Sequence, residues 1–207
     1  MSNKDKQMSE AELKRAEQVE KISDEMKQKG FTRHDLTISI SKANLFAAVL
    51  FAVLAVMGYG VYYLIHHRLD IARFNIIILA VLFVVLIVVH ELIHGITWSI
   101  FTPNHFKDIE FGVLRSSFTP YCTCKVPLDK MHYMIGSAMP LIVLGIIPLI
   151  AGIVLANPTL LFLGILMADS AAGDIMIIQK IASYQSDADE IVYMDHPTEP
   201  GCVVFDK

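Results

Sequence analysis

Four long apolar stretches dominate the chain, over residues 44–65, about 74–101, 133–156 and 159–181. Each reaches the roughly 20 residues that carry a helix across about 30 Å of hydrocarbon at 1.5 Å per residue. Open strands cannot satisfy their backbone groups in lipid, so the pattern predicts helices. Asn157-Pro158 marks a tight turn between the last two. Polar sequence flanks this block. Residues 8–29 read as a charged helix in which Leu13, Val19, Ile22 and Met26 form a thin apolar stripe at helical spacing, with Gly30 as its stop. Leu36 to Ile40 alternates like a short strand. Ile109–Val113 and Phe118–Val126 read as two more, around Leu114-Arg115-Ser116-Ser117. The expected fold is an all-α membrane protein: four transmembrane helices, a short β-hairpin-like cytoplasmic loop and a polar N-terminal helix. The expected organisation is a cytoplasmic polar segment 1–43, a four-helix core 44–183 and a cytoplasmic tail 184–207.

Composition supports a bilayer setting. Of 207 residues, 54% are hydrophobic and only 18% charged, against roughly 25% charged in an ordinary soluble domain. A net charge of −4 argues against a nucleic-acid partner, which calls for a basic face. Lys and Arg are distributed unevenly: with both termini cytoplasmic, 15 of the 17 fall on the inside and only Arg68 and Arg73 outside. Segment 1–43 alone holds nine of them and reads as a solvated helix, with a lipid-surface or partner-binding role as the alternative. This orientation puts Cys122, Cys124 and Cys202 in a reducing compartment, where disulfides are rare.

The chemistry-bearing run is His90-Glu91-Leu92-Ile93-His94, inside the second apolar stretch. Residues four apart on a helix lie about 40° apart around the axis and about 6 Å along it, so both imidazoles can reach one tetrahedral ion. Glu91 lies in the same arc. The pattern is HExxH: two neutral His ligands for Zn2+ and a general base. Zinc lowers the pKa of its water to about 7, and Glu91 would take the proton as that water attacks a carbonyl. Ionisable residues inside an apolar span are costly unless paired or metal-bound, which weighs against a purely structural cluster.

A third ligand is required, and the fourth helix offers Asp169 and Asp174. Counting from Phe74, His90 lies about 24 Å along its helix; counting from Thr159, Asp174 lies about 22 Å along its own. Asp169 is about 7 Å shallower and turned about 140° away. Depth therefore favours Asp174 as ligand and leaves Asp169 a packing or supporting role. The small residues Ser170 to Gly173 permit close helix approach. Pro140, in the third helix, removes an N–H and frees the carbonyl four residues earlier; it either opens room for water and substrate or serves ordinary packing. The hairpin can offer a strand edge to an extended substrate. Cys122 and Cys124, spaced C-x-C, do not match the C-x2-C of zinc knuckles and read as structural. His66, His67, His105, His132 and His196 read as interfacial.

The runs VVHELIHG, FTPYCTCKVPLDKMHYMIGSAMPLIVLGIIP, AAGDIMIIQKI and MDHPTEPGCVVF, taken in order, resemble the bacterial putative-zincin membrane family of unknown function, itself similar to the site-2 proteases. The likeness runs from about residue 78 to 205. It implies an intramembrane metalloprotease core in a bacterial cell membrane, with His90 and His94 as histidine ligands, Glu91 as catalytic glutamate and Asp174 as third ligand. Site-2 proteases carry a similar aspartate in Asp-Gly order, whereas here the order is Gly173-Asp174. Asp195-His196-Pro197 and Gly201 also match. The expected activity is zinc-dependent hydrolysis of peptide bonds in a transmembrane or membrane-associated peptide, near the cytoplasmic side of the lipid bilayer. A metal-ion or proton transporter built on the same cluster is the alternative, and a zinc-holding scaffold that sequesters a partner ranks last.

Overall fold

The computed structural model describes residues 10–70, 76–114 and 119–207. Lys4, Lys6, Arg73, Phe74 and the expected hairpin turn at Arg115-Ser116-Ser117 lie outside them, as does the point from which the depth of His90 was counted. In chain order the elements are α1 (Glu10–Gln28), β1 (Thr32–Thr37), α2 (Ile40–His66), α3 (Ile76–Phe101), a 3-10 turn (His105–Asp108), β2 (Ile109–Leu114), β3 (Thr119–Cys124), β4 (Leu128–Asp129), α4 (Lys130–Pro140), a π-helical stretch (Leu141–Ile146), α5 (Ile147–Val154), α6 (Pro158–Ser170), α7 (Ala172–Ser183), β5 (Ile191–Asp195) and β6 (Gly201–Asp206). The fold is mostly helical. The expectation of an all-α protein is corrected by a four-stranded antiparallel sheet, ordered β1-β6-β5-β4, beside the two-stranded β2-β3 hairpin.

The chain forms two compact units, and α3, α4 and α7 each run from one into the other. The first unit comprises Met1–Ile38, Glu91–Ser137 and Ile177–Lys207. One of its two inner strands is β6, where Cys202, Val203, Val204 and Phe205 are all essentially inaccessible. Side chains alternate across a strand, so this unbroken apolar run must be covered on both faces. Cys202 and Val204 join one cluster with Trp98, Tyr133, Tyr193 and Ile181. Val203 and Phe205 join another with Val19 and Met26 of α1. The expected apolar stripe of α1 thus packs on the sheet. Gly30 ends α1 as expected: its φ is +89°, Phe31 N–H donates to Met26 O and Gly30 N–H to Lys27 O, both at 3.0 Å. That bond pair closes a helix on a left-handed residue, which glycine adopts without a Cβ penalty. The expected strand at Leu36–Ile40 is displaced to Thr32–Thr37, because register is set by pairing with β6, from Thr32 opposite Asp206 to Thr37 opposite Gly201.

The second unit comprises Ser39–His90 and Ala138–Met176. Here α5 and α6 lie nearly backbone to backbone. A Cβ on Gly152 would meet Leu161 N at 2.2 Å, and one on Gly164 would meet Leu149 N at 2.3 Å, the use of small residues expected where helices pack in an apolar setting. Asn157 caps α6, its side-chain oxygen accepting from Thr159 N and Leu160 N at 3.1 Å, with Pro158 at the first helical position. Large apolar side chains such as Val56 and Leu64 remain exposed on α2.

Three helical segments are long and apolar enough to cross a membrane: Ile40–His66, Ile77–Phe101 and Lys130–Val154. The last passes through the π stretch just after Pro140. The fourth expected span is broken: α6 and α7 meet at 48°. The break has a local cause. Ser170 Oγ donates to Met167 O at 2.8 Å, and the Ala171 N–H, which would otherwise continue the ladder onto Met167 O, turns to Asp169 O.

Candidate metal centre

The site grows out of α3. This helix is continuous from Ile76 to Phe101, so His90 and His94 sit one turn apart whatever surrounds them. Both are buried, at 5% exposure, and Glu91 between them is partly exposed. A pair of buried imidazoles in an apolar helix needs defined partners, and each has one.

His94 is fixed on one side by a carbonyl and on a ring face by an indole. Its Nδ1 lies 2.9 Å from Gly136 O. A carbonyl can only accept, so Nδ1 carries the proton and Nε2 keeps its lone pair. The Trp98 ring stacks on the imidazole at 5.1 Å between centroids and 15° between planes. Trp98 Nε1 in turn donates to Tyr133 O at 3.2 Å. Gly136 makes this possible: a Cβ there would lie 1.9 Å from Trp98 Nε1.

His90 meets the fourth apolar segment. Its Nε2 lies 3.1 Å from Asp174 Oδ2. Asp174 is the third residue of α7, in its first turn. The break at Ala171 therefore does something a straight span would not: it places a helix N-terminus at the level of the acidic side chain. His90, His94 and Asp174 each offer one ligand atom, and these atoms lie within 4.8 Å of one another. Tetrahedral zinc with bonds of about 2.0–2.2 Å sets its ligands roughly 3.4 Å apart. Two imidazoles and one carboxylate at these separations fit that ion in type and spacing, with a fourth position left over. Asp169, in the last turn of α6, is not one of the three.

Other expected residues are placed as follows. Pro140 closes α4, fully buried, and the π stretch follows it. The β2-β3 hairpin pairs from Ile109 opposite Cys124 to Leu114 opposite Thr119, and Phe111 lies against α3: a Cβ on Gly95 would sit 2.3 Å from its Cζ. Burial, followed by the charges of Asp195 and Glu91, pushes the Cys122 thiol up. Burial pushes Cys124 and Cys202 up to about 12. These thiols remain protonated at neutral pH and offer no thiolate ligand. His66 and His105 bond backbone carbonyls at 2.7 and 3.0 Å, and His132 stacks on Phe101 at 4.1 Å.

The sequence singled out Asp195 and His196 through the resemblance without assigning them a mechanism, and the structure gives them contacts. Asp195 accepts from Tyr133 OH at 2.6 Å and from Cys124 N at 3.1 Å, tying the C-terminal segment to α4 and to the end of the hairpin. His196 Nδ1 accepts from Glu199 N at 2.9 Å and shapes the turn into β6. Trp98 and Tyr133, which pack around His94, were given no role, and the signal for them was that the chain's single tryptophan stands one turn after the second histidine.

No curated protein and no solved structure matches the chain. Residues 81–188 match the family described as putative zincin peptidase. That range is just over half of the chain and takes in both histidines, Glu91, the hairpin and Asp174; the chain belongs to this family.

Proposed function

We propose that the protein is a zinc-dependent intramembrane endopeptidase, similar in kind to the site-2 proteases, that cuts membrane-associated peptides near the cytoplasmic side. One observation carries the reading: the two histidines of an HExxH run and an aspartate from another apolar segment bring three ligand atoms within 4.8 Å. Family membership makes a metallopeptidase the expected chemistry. The long apolar helices and the Lys and Arg distribution favour a bilayer setting with both termini cytoplasmic.

In this reading His90, His94 and Asp174 hold Zn2+. When bound, zinc polarises the scissile carbonyl and brings the pKa of a water near 7. Glu91, one residue from His90 and partly exposed, accepts a proton on its carboxylate from the water that attacks the carbonyl carbon, then delivers it to the departing amine nitrogen. The hairpin offers backbone N–H and C=O groups along a strand edge, a way to hold an extended peptide independently of its side chains.

The test is Glu91→Gln, which keeps the side chain's shape and removes the base. Purified variant should retain about one zinc per chain, while peptides present in membranes of cells with the native protein disappear from those with the variant. Metal flux into vesicles that depends on Glu91, with no peptide cleaved, would overturn the reading in favour of a transporter.

A further inference from the structure

We propose that Pro140 is a positioning residue for His94: by withholding a backbone N–H it leaves the Gly136 carbonyl to orient the imidazole. The inference deepens the metallopeptidase reading and rests on it for the identity of the metal. In an α-helix the carbonyl of residue i accepts from the N–H of residue i+4. For Gly136 that residue is Pro140, which has no N–H. Pro140 nevertheless lies inside α4 with helical angles, φ −61° and ψ −40°. The helix therefore continues past Gly136 without its usual donor.

A buried carbonyl must find a partner. Gly136 is buried, and His94 Nδ1 lies at hydrogen-bonding distance from its carbonyl, at 2.9 Å. The bond fixes the tautomer, because the proton must be on Nδ1, and leaves Nε2 as the nitrogen for metal. Glycine at 136 serves the same end, since its missing Cβ admits the indole of Trp98, which stacks on the His94 ring. A glycine and a proline four residues apart thus act on a ligand 42 positions before the glycine. Neither touches the metal.

The experiment separates the missing donor from the proline ring. Pro140→Ala supplies an N–H that competes for Gly136 O. Replacing Pro140 with lactic acid, by nonsense suppression, puts an ester there with neither ring nor N–H. Zinc affinity is read by competition with a chelator, and the His94 tautomer by 15N resonances of the metal-free protein, assigned with His94→Gln. Pro140→Ala should weaken zinc binding at least tenfold and lose the dominance of the Nδ1-protonated form. The lactic acid variant should restore both to within about twofold of native. Native affinity and tautomer in Pro140→Ala would overturn the proposal, as would a lactic acid variant as impaired as Pro140→Ala, which would assign the effect to the ring. If Pro140→Ala fails to fold, the lactic acid variant and the native tautomer decide, and a native His94 protonated on Nε2 overturns it. A native protein that takes up no zinc would remove the metallopeptidase reading, while the tautomer measurement would still judge the part played by Pro140.

Discussion

Replacing Gly136 with alanine places one methyl group where the structure has none to spare. The new Cβ would stand 1.9 Å from Trp98 Nε1, 2.1 Å from Cδ1 and 2.7 Å from Cε2. Ordinary carbon contacts lie near 3.5–4.0 Å, so the indole must retreat by about 1.5 Å. It has little room, being 3% exposed and packed against Tyr133 and His94. Overpacking of this kind costs about 1–3 kcal/mol. Loss of the Trp98–Tyr133 hydrogen bond adds about 1 kcal/mol, for a total of about 2–4 kcal/mol. The chain has a single tryptophan, so its fluorescence reports on this one contact. Gly136→Ala should shift the native emission maximum to the red and lower the denaturant midpoint by the stated energy. Because the cost arises from two groups in contact, Trp98→Leu should relieve it. The double variant, followed by circular dichroism, should be more stable than the sum of the two single losses by at least about 1 kcal/mol. Native emission with a stability change below about 0.5 kcal/mol, or strict additivity with Trp98→Leu, would refute the packing described here.

The two acidic residues near the break between α6 and α7 should behave differently. Asp174→Ala should weaken zinc binding at least tenfold and Asp169→Asn less than threefold, measured by chelator competition. Asp206 accepts from Ser186 Oγ at 2.6 Å, Tyr184 OH at 2.9 Å and His34 Nε2 at 3.1 Å. The Ser186 bond foremost, then those of Tyr184 and His34, hold its carboxyl below the usual range against the opposing effect of burial. A depressed carboxyl contributes stability that is present above the unfolded value of about 4 and is lost as pH falls through the folded one. Protection of β1 and β6 amides, measured against their intrinsic exchange rates, should therefore fall below about pH 4 in the native protein. In Asp206→Asn it should already be lower at pH 6 and respond less to acid. The three thiols, held up by burial, should resist alkylation at pH 8 in the folded protein and react rapidly in denaturing detergent; fast labelling of Cys124 or Cys202 in the native state would contradict their placement.

The long apolar helices, the stop at Gly30 and the common face of His90 and His94 follow from local rules. A helix's apolar length, a glycine's freedom at positive φ and the phase of residues four apart are properties of neighbours in sequence, and the chain spells them out. The sheet could not be read the same way. Strand β6 pairs with β1 more than 160 residues earlier, and its unbroken apolar run acquires meaning only when α1 covers one face and the Trp98–Tyr133 cluster the other. The same holds around the candidate site. Asp174 lies on a helix that restarts at Ala172 because Ser170 takes a carbonyl from the ladder, a competition too slight to show against four turns of apolar residues. The bond from His94 to Gly136 joins two helices through a backbone carbonyl. A backbone carbonyl is present at every residue, so sequence can mark at most the proline that sets it free, and only packing decides which side chain arrives to use it.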